Sequence, residues 1–242
     1  MIFALDHLVV LVGDLDQAQA DWRAQGFAVV YGGEHTDGAT HNALVALADG
    51  SYIELLAFKR EEPSHHWWRH VAYGPGVIDF ALLSARMDVD LEAVRARGIS
   101  IEGPIAGGRL RPDGEEIAWQ IAVAHFPDVP FLCADVTPRN RRVPQLTDEQ
   151  RAGATGIASV TILVESIAEA VRRYAALLDR SPVKDAELEP GVAWSAAFQL
   201  GPTRVELVQP LPEASSHPLA QRLATRGPGI VAYTLKGQPA PA

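Results

Sequence analysis

The sequence predicts an α+β fold made of tandem βαβββ modules, and three observations predict it. Residues 5–12 and 51–58 are β-rich, mainly apolar runs bounded by polar or glycine punctuation, and each carries a candidate ligand side chain, His7 and Glu54. A helical apolar period follows the first run of each half, over 15–24 and 167–178. The chain also matches itself in one register: Ser159 falls on His7, Glu206 on Glu54 and His217 on His65, each 152 positions on. Gly227-Pro228-Gly229 follows Gly74-Pro75-Gly76 at 153. Separate elements holding one spacing read as an internal repeat.

In the first module the strand at 6–12 turns at Gly13-Asp14. Asp14 is placed to cap a helix over 15–24, whose Leu15, Ala18 and Trp22 form a buried face with Phe27 beyond. Gly26 ends that helix. A short strand over 27–31, a loop over 32–38 and an alternating strand over 42–47 follow, and Asp49-Gly50 turns the chain into the strand at 52–58. Residues 59–73 read as a loop entering a short helix. Trp67 and Trp68, beside His65, His66 and His70, read as the face that docks this helix on the sheet.

The second module repeats the order. Its first strand is at 77–83, with Asp79 in the place of His7, and its helix over 91–97 is closed by Gly98. A strand starts at 99, residues 109–114 turn, 117–123 alternate, and 130–135 close the module with Phe131 where the first has Glu54. The domain organisation read from this is a domain at 1–137 with modules at 1–58 and 75–137, then a solvated surface linker at 138–155. A degenerate second half at 156–237 holds a third module and one strand of a fourth, and 238–242 reads as a disordered tail.

Composition narrows the function. A net charge of −9 without any Lys/Arg stripe argues against nucleic acid or an anionic membrane surface as partner, which leaves a small molecule. Cys133 is the only cysteine, so no disulfide framework and no Cys-ligated zinc site forms within the chain. Residues 1–27 carry no signal-peptide pattern and no run is long enough to span a bilayer, so a cytoplasmic location is expected.

The tandem units, with Leu5-Asp6-His7-Leu8-Val9-Val10 and Tyr52-Ile53-Glu54-Leu55, resemble the vicinal-oxygen-chelate superfamily, which includes glyoxalase I, extradiol dioxygenases and bleomycin-resistance proteins. Asn42-Ala43-Leu44, residues 49–55, and Arg109-Leu110-Arg111-Pro112-Asp113-Gly114 followed by Trp119 are similar to its glyoxalase-like domain proteins. The resemblance covers nearly the whole chain and is specific for fold more than for reaction. It implies an open, cup-shaped mixed β-sheet of eight strands with helices outside, and inward-facing metal ligands on the first and last strands of each module.

By position, His7 and Glu54 match those ligands, Asp79 replaces the second His, and the second Glu is missing. One imidazole and two carboxylates suit a divalent ion such as Mn, Fe, Ni, Zn or Mg. The resemblance thus implies a metal-assisted isomerase, lyase or dioxygenase acting on a substrate with vicinal oxygens, the metal serving as Lewis acid and Glu54 moving a proton. Asn42, Trp119 and Phe80 are expected to face the substrate. Arg109 or Arg111 clamps an anionic group, or else both belong to a turn held by Asp113, and His41 faces either the cup or solvent. The rival is a metal-free binder of the bleomycin-resistance type, holding a hydrophobic ligand against Trp119 and Phe80. Ser159 and Ala232 stand where the second half would carry its first-strand ligands, which suits a buttress or a homodimer face there.

Overall fold

The computed structural model describes residues 2, 4–147, 150, 155–183 and 191–237. β1 (Ala4–Leu11), α1 (Leu15–Ala24), β2 (Val29–His35), β3 (Thr40–Ala46) and β4 (Tyr52–Phe58) come first, followed by a 3-10 helix at Trp68–Tyr73. β5 (Gly76–Leu83), α2 (Met87–Ala96), β6 (Ile101–Leu110), β7 (Glu116–Ala124) and β8 (Phe131–Asp135) repeat the βαβββ order. The eight strands form one mixed sheet in the order β1-β4-β3-β2-β6-β7-β8-β5, which closes on itself. β1 lies between β4, to which it is parallel, and β5, to which it is antiparallel, so both modules contribute to one interior.

The expected cup is closed along one side by a short seam, the pairs Glu34↔Leu110 and His35↔Arg109 between β2 and β6. Gly33 makes that seam possible. It has φ 125°, and a Cβ on it would collide with the Leu110 carbonyl oxygen, so only glycine lets β6 come this close. Residues read from the sequence as loop are therefore strand, and β2 runs on to His35.

Alternation along the strands separates two apolar layers. Val9, Leu11, Leu56, Ala81 and Phe131 cluster inside the closed sheet with Trp67 and Trp119. Leu5, Leu8, Leu55, Phe80 and Leu82 join the larger core, which also takes in Leu15 of α1 and Leu91 and Val94 of α2. α1 packs on β2, β3 and β4, and α2 on β6, β7 and β8. The Asp14 carboxylate caps α1 by accepting the Gln17 backbone N–H at 3.0 Å.

After β8 come α3 (Arg139–Arg142), β9 (Gly156–Leu163), α4 (Ile167–Leu178), β10 (Ala193–Leu200), β11 (Thr203–Pro210), α5 (Pro218–Arg226) and β12 (Gly229–Lys236). Their sheet has the order β10-β11-β9-β12, with β9 parallel to β11 and antiparallel to β12 as β1 is to β4 and β5. Ile157, Val160, Tyr174, Leu177 and Phe198 belong to the same core cluster as Leu5 and Leu8. Across the contact, Tyr174 Oη donates to the Asp128 carbonyl at 2.6 Å and Arg97 donates to the Ala176 carbonyl.

The expectation of a solvated linker holds for Asn140 and Arg141 of α3, which are exposed, and fails at Arg142. Arg142 is only 2% exposed there, because its guanidinium closes the end of the first barrel against Asp6, Asp135 and the Tyr52 hydroxyl. The tail at 238–242 lies outside the described residues. No helix among the described residues is long and apolar enough to cross a membrane.

Candidate active site

Inside the closed sheet is a cavity of about 290 Å3, lined by His7, His35, Asn42, Tyr52 and Glu54 from the first module. The second module supplies Asp79, Arg109, Trp119 and Phe131, and the segment between modules supplies Trp67. β1 and β2 send His7 and His35 into the interior, β3 sends Thr40 and Asn42, and β4 sends Tyr52 and Glu54. Burying so many polar groups is costly unless they are paired, and their pairing is dense.

Glu54 is the hub. Its Oε1 accepts the Asn42 amide at 2.6 Å and lies 3.3 Å from His35 Nε2, while its Oε2 lies 3.6 Å from His7 Nε2. Burial pushes the Glu54 carboxyl up, but the His35 hydrogen bond, the charges of His35 and His7 and the Asn42 amide bring it down to about 2. It is therefore a carboxylate at neutral pH. The far ring nitrogens of both imidazoles are tied down: His35 Nδ1 is 2.7 Å from Thr40 Oγ1, and His7 Nδ1 is 2.7 Å from Asp6 Oδ2. Asn42 Oδ1 is buried without a hydrogen-bond partner among the described residues.

Asp6 is fully buried behind His7, and a register shift between Leu5 and His7 falls at its position in β1. Burial pushes its carboxyl up, yet the His7 hydrogen bond and the Arg142 and Arg139 guanidiniums hold it well below the usual carboxylate range. An ionised Asp6 can only accept, so His7 Nδ1 carries a proton and Nε2 is the atom presented towards Glu54. Tyr52 stacks on His7 with centroids 4.6 Å apart and 15° between planes, which fixes the imidazole from its face.

Asp79 has a different environment. Its Oδ2 accepts the Trp67 indole N–H at 2.9 Å and its Oδ1 the Phe80 backbone N–H at 2.8 Å. Burial dominates over these two bonds and pushes Asp79 up to about 6. One cavity thus holds two carboxyl groups whose surroundings drive them apart, the arrangement from which acid and base roles are assigned.

Of the residues expected at the site, His7, Glu54, Asp79, Asn42, Arg109 and Trp119 line the cavity. Phe80 does not. It is 2% exposed and belongs to the outer core beneath the helices, because it sits one position beyond Asp79 and so faces the opposite side of β5. Arg111 also lies outside the lining, paired with Asp113 at 2.8 Å and Glu115 at 3.1 Å, so the turn alternative describes it. His41 faces Tyr31, with 3.5 Å between its Nδ1 and the hydroxyl. The two tryptophans divide: Trp68 packs edge-on against Phe58 at 4.8 Å, whereas Trp67 enters the cavity. Asp6, His35, Tyr52, Trp67 and Arg142 complete the site without having been expected there.

The structure brings His7 and Glu54 together but does not assemble the expected metal set. Among the described residues no group of three or more His, Cys, Asp or Glu side chains is placed to hold a metal ion. Asp79 argues the same way: both of its oxygens already accept N–H bonds, from the Trp67 indole and the Phe80 backbone. The expected donors His7, Glu54 and Asp79 therefore do not fit a shared ion as arranged.

Residues 5–178 match the model of a family described as a glyoxalase-like domain. No curated protein matches the chain. Among solved structures, a hypothetical protein from Staphylococcus aureus superposes with a TM-score of 0.69 at 16% identity, over 85% of each chain. A mutant of 4-hydroxymandelate synthase from Streptomyces coelicolor superposes with a TM-score of 0.69 at 12% identity, covering 97% of this chain and 71% of that one. At such identities the likeness is one of fold.

Proposed function

The chain belongs to the glyoxalase-like domain family and has the vicinal-oxygen-chelate fold, and within that frame we propose that it is an enzyme moving a proton on a small molecule with two adjacent oxygens. One observation carries the reading: Glu54, clasped by His7, His35 and Asn42, shares a cavity with Asp79, a carboxyl set to exchange a proton near neutral pH. The reaction class is isomerisation, or elimination of the lyase type, at a carbon beside a carbonyl.

The two carboxyl groups take unequal parts. A general base works best with a pKa near the working pH, so Asp79 removes and returns the carbon-bound proton. Glu54, at about 2, is too weak a base for that step. Its part is to hold the His7 and His35 rings with their Nε2 atoms converging on the spot where the substrate oxygen lies. Asp6 secures His7 in that role by fixing Nδ1. Trp67, donating to Asp79, keeps the base aimed into the cavity.

The test is solvent exchange. Small 2-hydroxy ketones and 2-hydroxy aldehydes in D2O are followed by proton NMR for deuterium uptake at the hydroxyl-bearing carbon beside the carbonyl. Uptake is expected with the native protein and falls by at least about a hundredfold in Asp79→Asn, the scale of a positioned general base. Uptake that survives Asp79→Asn, or none with any substrate, sinks the reading. Exchange abolished by a chelator and restored by Mn, Ni or Zn would instead favour the metal-assisted form of the same chemistry. The aromatic wall of Tyr52, Trp67, Trp119 and Phe131 favours a second reading, a binder without turnover, which predicts saturable binding and no exchange.

A further inference from the structure

Arg109 is 4% exposed, lines the cavity, and has no carboxylate within ion-pair distance among the described residues. Two of its five N–H groups are used structurally: Nε donates to the Gly32 carbonyl at 3.0 Å and Nη2 to the Arg142 carbonyl at 2.6 Å. The other three have no protein acceptor among the described residues. Its basic neighbours are all neutralised: Arg142 by Asp6 and Asp135, Arg139 by Asp6, and Arg111 by Asp113 and Glu115. A buried cation without a carboxylate in ion-pair contact is unfavourable, and an anion entering the cavity supplies that contact.

The surroundings say what kind of anion. Arg109 pairs with His35 across the β2–β6 seam, which puts the cation at the edge of the Glu54 network. The Trp119 ring lies 5.9 Å from the guanidinium carbon, and a Cβ at Gly107 would collide with the same indole, so the glycine lets Trp119 lie against β6 as a flat wall beside the charge. One guanidinium with two donors already committed balances a single negative charge. A dianion would face ionised Glu54 without enough donors.

We propose that the cavity takes a small monocarboxylate with a flat apolar body, its carboxylate on Arg109 and its body against Trp119. The proposal rests on the cavity being the substrate site described above, and it names the substrate class: an acid whose adjacent oxygens reach the His7–Glu54–His35 cluster while Arg109 holds the carboxylate.

Intrinsic tryptophan fluorescence tests it, because Trp67 and Trp119 both line the cavity. Phenylacetate, its uncharged isostere phenylacetamide, and phenyl phosphate are titrated into the native protein, Arg109→Met and Arg109→Lys. The native protein is expected to bind the acid at least about tenfold more tightly than the amide or the phosphate. Arg109→Met loses that preference while its amide affinity changes less than about twofold, and Arg109→Lys keeps part of it. Equal affinity of native protein for acid and amide, or a preference surviving in Arg109→Met, overturns the proposal, and so does tighter binding of the phosphate. The native comparison stands even if Arg109→Met fails to fold. Exchange chemistry without a carboxylate preference would defeat this inference alone. A carboxylate preference without exchange would defeat the proton-transfer reading alone.

Discussion

At the scale of single residues, the site is an argument about two acids. Asp79 must be ionised to accept a proton, and burial holds it near 6, so kcat/KM rises as pH rises through about 6 and levels above it. A pH–rate profile for the exchange reaction shows that limb, and Trp67→Phe, which removes the donor to Asp79, moves it to higher pH. Glu54 has the opposite linkage. Its pKa is about 2 against an ordinary 4.5, so the stability it contributes is complete above pH 4.5 and is lost as pH falls towards 2. Glu54→Gln therefore costs on the order of 3 kcal/mol near pH 7, and the gap from the native protein narrows through that acid window in denaturant titrations. His7 and Glu54 were legible because each carries lone pairs within a mainly apolar strand, which burial tolerates only with partners. His35 was not, since Gly32-Gly33 reads as a turn and places it in a loop. Only a neighbouring strand at Leu110 shows that the glycines serve close approach.

At the scale of elements, α3 shows how a segment can be misread by composition. Four arginines in a connector look solvated, yet Arg142 closes the barrel and, with Arg139, grips Asp6, which in turn fixes His7. Removing one partner of such a buried network leaves the others uncompensated, so Arg142→Ala is expected to cost about 3–5 kcal/mol. Arg111→Ala, which breaks half-exposed pairs to Asp113 and Glu115, is expected to cost less than about 1 kcal/mol. Chemical denaturation of the two variants side by side checks the contrast, and equal losses would put α3 back on the surface. The elements with local signals were legible: α1 from its Asp14 cap and apolar period, and α4 from its apolar period, with Ser166 capping it in the structure. The elements without them were not. Pairing of β2 with β6 and burial of Arg142 depend on residues 76 and 136 positions away in sequence, Leu110 with Glu34 and Arg142 with Asp6, and no window along the chain contains both ends.

At the scale of the whole molecule, the question is whether the second half is a passenger. Its sheet and α4 bury Ile157, Val160, Tyr174 and Phe198 in the core that also contains Leu5, Leu8 and Leu91. The contact is polar at its edge as well, where Asp128 of the first half receives both the Tyr174 hydroxyl and the Arg173 guanidinium at 2.6 and 2.5 Å. A core continuous across both halves makes neither stable alone, because each would expose apolar surface that the other covers. Thermal unfolding should therefore be one transition, with tryptophan fluorescence, weighted towards Trp67 and Trp119 in the first barrel, coinciding with far-UV circular dichroism from the whole chain. Tyr174→Ala, which removes a buried aromatic absent from the cavity lining, should cost about 3–5 kcal/mol of stability and lower that single midpoint. It should also loosen ligand binding only as far as the folded fraction falls. Two separated transitions, or a Tyr174→Ala protein in which the first barrel melts at the native temperature, would show instead that the halves fold independently and that the site owes nothing to the second.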